Sequence, residues 1–338
     1  MKSTFASFLV CPDCCTELDL SIVEGRDGFV ELGSLSCAKC HGAFPIVRGI
    51  PRFVSDEQQY CQNFGWQWEK FRRTQIDAFN GLRESETRFA NETGWQPEKL
   101  KGSLILDAGC GAGRFSAIAC DWGARVVAVD ISEAVDACAR NMKELGHEID
   151  IVQASIYKLP FRSSSFDRIF SLGVLQHTPD PGLAIRSLPQ YLKPDGRLAL
   201  WIYEKRWTRF LMIRNLLRHL TSHLPLKVNY DFSLFAVCLL FPLTAALSLV
   251  PGLRKGLPLI PISSRHYWGK LSLREQFEWT LLDTFDSYAA VHEYPQNEKD
   301  VMTALRSAGV RDVYRSPARG MSIVGRKNVE SNYRVMTS

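Results

Sequence analysis

The chain has 338 residues, 46% hydrophobic and 23% charged; this suffices for two or three packed units and excludes a wholly disordered, collagen-like or coiled-coil protein. The net charge of +5 is too small to argue by itself for a nucleic-acid partner. The charge is uneven, however: residues 204–274 hold eleven Lys and Arg against Glu204 and Asp231, so this segment carries +9 and the remainder −4.

Four of the ten cysteines form two Cys-x-x-Cys pairs, Cys11/Cys14 and Cys37/Cys40. Each pair brings two thiolates to one side of a tight turn. Two such turns close a tetrahedral four-sulfur site that suits a structural Zn²⁺ and leaves no open position for catalysis. Cys15 and His41 adjoin the ligands without belonging to the pattern. Residues 18–23 and 28–32 read as strands of a hairpin turning over 24–27. So small a unit, residues 1–55, has little core, and metal is expected to hold it. The apolar run at 5–10 is too short for a signal peptide, so the six other cysteines are expected as free thiols in a reducing cytoplasm. The cysteine pairs, with Pro45-Ile46-Val47-Arg48-Gly49-Ile50-Pro51 behind them, resemble the small zinc-ribbon proteins that partner and activate methyltransferases. The resemblance covers residues 8–54.

Residues 56–101 read as a helical connector. Trp66, Trp68, Phe71 and Arg72 recur at near-helical spacing. They suit either a helix over a cofactor mouth or a brace between the cysteine unit and the core.

A core follows at 102–203. The apolar strand 104–106 enters Asp107-Ala108-Gly109-Cys110-Gly111-Ala112-Gly113, and a helix begins with Phe115, Ile118, Ala119 and Trp122 on one face. Strand, glycine loop and helix form a nucleotide-binding unit, because glycines admit a ligand close to the backbone and helix N–H groups face it. The strand at 125–129 ends in Asp130, an acid that can bind two ribose hydroxyls, and Ser132 is expected to cap the next helix. A dinucleotide fingerprint would need a third glycine at position 114, where Arg114 stands. A nicotinamide or flavin enzyme and a ligand-free turn remain as weaker readings.

The order Asp-x-Gly-x-Gly-x-Gly resembles the class I S-adenosylmethionine (SAM)-dependent methyltransferases, in the subgroup that includes ubiquinone and menaquinone biosynthesis enzymes. The likeness covers 102–203 and resumes near 298–327. It implies an α/β fold with a Rossmann-like seven-stranded sheet. It also implies that Asp107 lies by the methionine amino group and that Ala108, Gly109, Cys110, Gly111 and Gly113 run along the methionine and ribose. Asp130 would sit on the ribose, with Ile131, Ser155 and Ile156 completing the cofactor set. Ser155 stands where the family usually has an acid for the adenine amine. Residues 164–177 read as a continuous strand four ending at His177, a candidate general base. His292, in the polar and aromatic run 283–294, is a second.

Residues 204–275 form an insertion that the minimal fold does not need. Residues 207–220 suggest an Arg-studded helix. Residues 232–253 carry no charge but hold Pro242, which suggests a helix pair broken there. This segment reads as a cap over a small-molecule or lipid-like acceptor, or as a peripheral contact through 205–274 with the inner face of a membrane. A span would place the two halves of one sheet on opposite sides of the bilayer. RNA is the competing partner, although residues 8–54 hold four basic residues against six acidic ones. A non-catalytic SAM-binding scaffold is the third reading. Residues 276–327 complete the core, and 328–338 form a polar tail expected to fray. The sequence does not fix the oligomeric state.

Overall fold

The computed structural model describes residues 1–54, 62–206, 213–264, 266–318 and 320–329, without the side chains of 254, 255 and 258. Cys61, the start of the Arg-studded segment and most of the C-terminal tail lie outside these residues.

The N-terminal unit is an antiparallel sheet of β1 (Asp19–Arg26), β2 (Phe29–Ser36), β3 (Ala43–Val47) and β4 (Ile50–Pro51), in that order. The hairpin turns later than the sequence suggests, over Asp27 and Gly28, which both hold positive φ, 52° and 79°. Register shifts at Ile22, Glu24 and Gly25 let β1 run on to Arg26. Three helices follow: α1 (Gln62–Lys70), α2 (Asp77–Asn80) and α3 (Glu84–Thr93). The Asp77 carboxylate starts α3 by accepting from the Ser85 and Glu86 amides at 3.0 and 2.9 Å.

The core runs β5 (Leu104–Ala108), α4 (Arg114–Asp121), β6 (Arg125–Asp130), α5 (Ala134–Glu144), β7 (Asp150–Gln153), β8 (Phe166–Leu172), α6 (Pro181–Ser187) and β9 (Leu192–Ile202). The cap helices α7 (Ile213–Thr221), α8 (Leu226–Leu249) and α9 (Leu273–Ala289) come next, then α10 (Glu298–Ser307), β10 (Val310–Arg315) and β11 (Met321–Lys327). The seven-stranded sheet has the order β10-β11-β9-β8-β5-β6-β7. Strands β9 to β7 pair in parallel, and β11 is antiparallel to both its neighbours. The buried runs Ile105-Leu106 and Val126–Val129 follow from cover on both faces. Strand order reverses between β5 and β8, and the crevice at such a switch point is where α/β sheets bind ligands.

Two local expectations fail. Strand four ends at Leu172: Gly173 takes φ 83°, and Leu175–His177 is a 3-10 turn. Pro242 does not break the cap helix, for α8 runs through it as one piece. Its missing N–H would have bonded to Cys238, four residues back, and both residues are exposed, where water can take the freed carbonyl.

The cysteine unit is built onto the core. Phe5 and Leu9 share one apolar cluster with Phe161 and Phe166. Arg52 pairs in parallel with Gln153, and the Phe53 amide donates to the Gln153 carbonyl at 2.7 Å, covering the edge of β7. Each such buried side chain contributes about 1.5–3 kcal/mol. The Lys2–Glu148 bridge, with side chains 49% and 75% exposed, is screened by solvent and adds little. Apolar burial therefore decides the docking. The less exposed Arg52–Asp136 pair, at 3.0 Å, fixes its register.

Candidate cofactor, acceptor and metal sites

The four cysteines converge. Their sulfurs all lie within 4.8 Å of one another, with Cys11–Cys40 at 3.4 Å and Cys14–Cys37 at 3.3 Å. Zinc–sulfur bonds of about 2.3 Å place tetrahedral sulfurs about 3.8 Å apart, so the donor set fits zinc. The two knuckles are alike. The Cys15 amide donates to the Cys11 carbonyl and the His41 amide to the Cys37 carbonyl, each at 2.9 Å. Cys15 and His41 hold φ 56° and 59°: they are the left-handed corners of the knuckles and stand outside the ligand set. The Thr16 hydroxyl, 3.1 Å from Cys37 Sγ, helps bring that thiol down to about 5, toward the thiolate a metal needs.

A cavity of about 600 Å³ opens at the switch point, within the usual range for small-molecule sites. One wall is the glycine loop. Gly109 has φ 96°, and a Cβ there would lie 2.4 Å from the Val174 methyls. At Gly111, φ is 52° and a Cβ would approach Trp68 Nε1 to 3.2 Å. Gly113 is the residue before α4, where a Cβ would meet Cys138 Sγ at 2.9 Å. The loop is bare because its neighbours leave no room, and a ligand can reach its backbone.

Asp130 closes this wall. Its Oδ2 accepts from the Gly111 amide at 2.9 Å, and its Oδ1 from the Ser132 amide and hydroxyl at 2.9 and 2.7 Å. Ser132 thus orients the acid, and its hydroxyl also accepts from the Ala134 amide at 3.3 Å, at the start of α5, from one residue before the N-cap position. Burial pushes the Asp130 carboxyl up, and the Ser132 and Gly111 donors pull it back. Oδ2, with one donor, keeps acceptor capacity for a ribose hydroxyl.

Of the residues expected at the cofactor, Ala108, Gly109, Cys110, Gly111, Asp130, Ile131 and Ile156 line the cavity. Asp107, Gly113 and Ser155 do not. Asp107 is buried beneath the loop and accepts from Ser116 Oγ at 2.6 Å, and burial raises its pKa to about 7. Ser155 Oγ faces the Tyr157 amide at 3.4 Å. Gly113 serves the packing of α4 on α5.

His177 lines the cavity, its ring between Phe64 and Tyr203 with centroids at 5.2 and 5.6 Å. Its Nδ1 lies 2.8 Å from the His292 carbonyl. The His292 ring does not line the cavity and meets the Tyr294 hydroxyl instead. Asp286 lies on α9 and faces the same space, accepting from Gln67 Nε2 at 3.1 Å. Burial pushes its carboxyl up, while His177 and Gln67 pull it down.

Sequence reasoning missed Arg88. Its guanidinium lies over Trp201 at 4.4 Å and over Phe115 at 5.4 Å, and it lines the cavity. Its Nε donates to buried Glu92 at 2.7 Å. A cation there is placed to meet a carboxylate. The spacing of Arg88 and Glu92 on α3 was the only sequence signal, and it is common to many helices. The helix α1 lies over this mouth and packs on α5 and α9, with Trp68 on the glycine loop and Trp66 on Tyr230 and Phe285. Arg73 pairs with Glu144 on the exposed side, outside the cavity.

Comparison with known proteins gives two family matches: a Methyltransferase domain over residues 106–200 and a Trm112p-like protein over residues 2–49. The curated relatives include a ubiquinone biosynthesis O-methyltransferase of Azotobacter vinelandii, 32% identical over 162 residues, which are 45% of this chain and 69% of that one. Another, from Xanthomonas euvesicatoria pv. vesicatoria, is 36% identical over 104 residues, 30% of this chain. The chain spans 44% of the length of this Xanthomonas enzyme. Among solved structures, magnesium protoporphyrin IX methyltransferase from Synechocystis PCC 6803, with bound SAH, is 16% identical. That match covers 80% of this chain and 98% of that one, with a TM-score of 0.46.

Proposed function

The chain belongs to the SAM-dependent methyltransferase family, and from that premise we propose that it moves the methyl group of SAM to a hydroxyl of a small-molecule acceptor. When bound, SAM supplies a sulfonium carbon open to in-line displacement. The glycine loop and Asp130 would hold its methionine and ribose, Ile131 and Ile156 would flank the adenine side, and Arg88 would meet the carboxylate. Ser155, out of the cavity, makes no adenine contact in this reading.

One observation carries the reading. A single cavity is lined both by the glycine loop and by His177, whose Nδ1 is committed to a main-chain carbonyl. A hydroxyl must lose its proton as it attacks, and His177 Nε2 is the group to take it. Asp286, in the same cavity, stabilises the imidazolium that results. His292 acts through its carbonyl and not as a base. The zinc site is structural and shares no residue with the cavity.

The test uses methyl-labelled SAM, the purified protein and a fractionated extract, with Asp130→Ala as control. The proposal expects label in the small-molecule fraction, an equal amount of S-adenosylhomocysteine, and neither in the control. Label in RNA, or none in any fraction while SAM stays bound, would overturn it.

A further inference from the structure

The cap helices are turned inside out. The buried residues of α8 are Asn229, Ser233, Val237, Phe241, Thr244 and Ser248, four of them polar. Asn229 donates to the carbonyls of Thr221 and Tyr288, and Ser233 and Thr244 bond back to their own helix. Val228, Phe232, Phe235, Leu239 and Leu243 fall on the other side, within an arc of about 80° at 3.6 residues per turn. All five are exposed, Phe235 by 66% and Leu239 by 63%. The pattern repeats on α7. Arg214 bonds Ser263 and Arg218 faces Glu293, while Ile213, Leu216 and Leu220 are exposed. A surface helix in water has the reverse arrangement.

The charge around this face is one-sided. Residues 213–264 hold Arg214, Arg218, Lys227, Arg254 and Lys255 against Asp231 alone, and Lys227 is exposed at the turn between α7 and α8, with exposed His219 and His223 beside it. Helix α8 is long and apolar enough, by length and composition, to cross a bilayer. It packs on α9, however, and strands before and after it in the chain, β9 and β11, pair in one sheet. A second copy of the chain would cover the apolar stripe but would offer this basic collar only its own like charge.

We propose that α7 and α8 lie flat on the surface of an anionic phospholipid bilayer, the apolar stripe among the acyl chains and the basic collar at the phosphates. The same cap supplies Arg214, Asn215 and Ile262 to the cavity wall, so the contact sets the acceptor side of the cavity against the lipid. This contact does not depend on which atom is methylated.

Cosedimentation with phosphatidylcholine vesicles, alone or mixed with phosphatidylglycerol, tests it. The full chain should bind the mixed vesicles at least about tenfold more tightly than the neutral ones. The pair Phe235→Ser and Leu239→Ser, and separately Lys227→Glu, should each weaken that binding by about tenfold while SAM still binds. Absence of binding to mixed vesicles would overturn the proposal. So would unchanged binding by the double variant, or a lipid-free dimer that the double variant dissociates and that ignores vesicles.

Discussion

The Nδ1 atom of His177 lies 2.8 Å from the main-chain oxygen of His292. A carbonyl only accepts, so Nδ1 carries the proton and Nε2 keeps its lone pair. The second histidine thereby fixes the tautomer of the first without lending its own ring.

Two substitutions separate these roles. His177→Gln should lower kcat by about 10²–10³ with SAM affinity unchanged, since proton removal is lost and the glycine loop is untouched. His292→Ala keeps the carbonyl and should change kcat by less than about threefold. Steady-state kinetics beside calorimetric SAM titration distinguish the two, and equal losses would show that the His292 ring matters.

Asp107 gives a pH prediction. Its folded pKa is raised from 3.8 to about 7 by burial, so the folded state binds the extra proton between those values. Stability contributed by the protonated group is complete below about 3.8 and is lost as pH rises through about 7. Asp107→Asn removes that loss and should stabilise the protein at pH 8 by on the order of 1–4 kcal/mol more than at pH 4. Denaturant melts of both proteins at the two pH values measure the difference, and a pH-independent difference refutes the assignment.

Arg88 should govern the cofactor's carboxylate end. Arg88→Ala should raise the KM for SAM by about tenfold or more and leave acceptor KM nearly constant. It also strips buried Glu92 of its partner, whose carboxyl burial already pushes up. Arg88→Lys should restore stability better than SAM affinity, because a point charge replaces a planar fork. Kinetics and thermal melts on the same samples resolve the two effects.

Zinc should hold more than the small sheet. Cys14→Ser should abolish stoichiometric zinc in elemental analysis and lower Tm by about 5 °C or more. Phe5 and Leu9 share a core with Phe161 and Phe166, so native protein should melt in a single transition. A variant that loses zinc and melts unchanged would contradict the shared core.

What could be read from the chain was local. Cys-x-x-Cys pairs and Asp-x-Gly-x-Gly-x-Gly impose backbone geometry over a few residues, so the cysteine cluster and the glycine loop that lines the cavity were legible before the fold. Roles set by helix rotation or packing were not. Residues 283–294 stood out as polar and aromatic, yet only the rotation of α9 turns Asp286 inward, while the His292 ring lies outside the cavity. Gly173 hid a chain reversal inside an apolar run. Pro242 looked like a break because its exposed position on α8 is a tertiary fact. Asp107 follows the family pattern in sequence, but its carboxylate turns to Ser116 beneath the loop.

The most direct measurement is the bond made to the transferred carbon. SAM labelled with ¹³C in its methyl group, turned over with the acceptor the labelling experiment identifies, gives a product whose methyl carbon can be assigned by NMR. The account predicts one methyl bonded to oxygen, formed by the native protein and at least about a hundredfold more slowly by His177→Gln. A methyl on nitrogen or carbon, or an oxygen-bound methyl formed equally fast without His177, would contradict it.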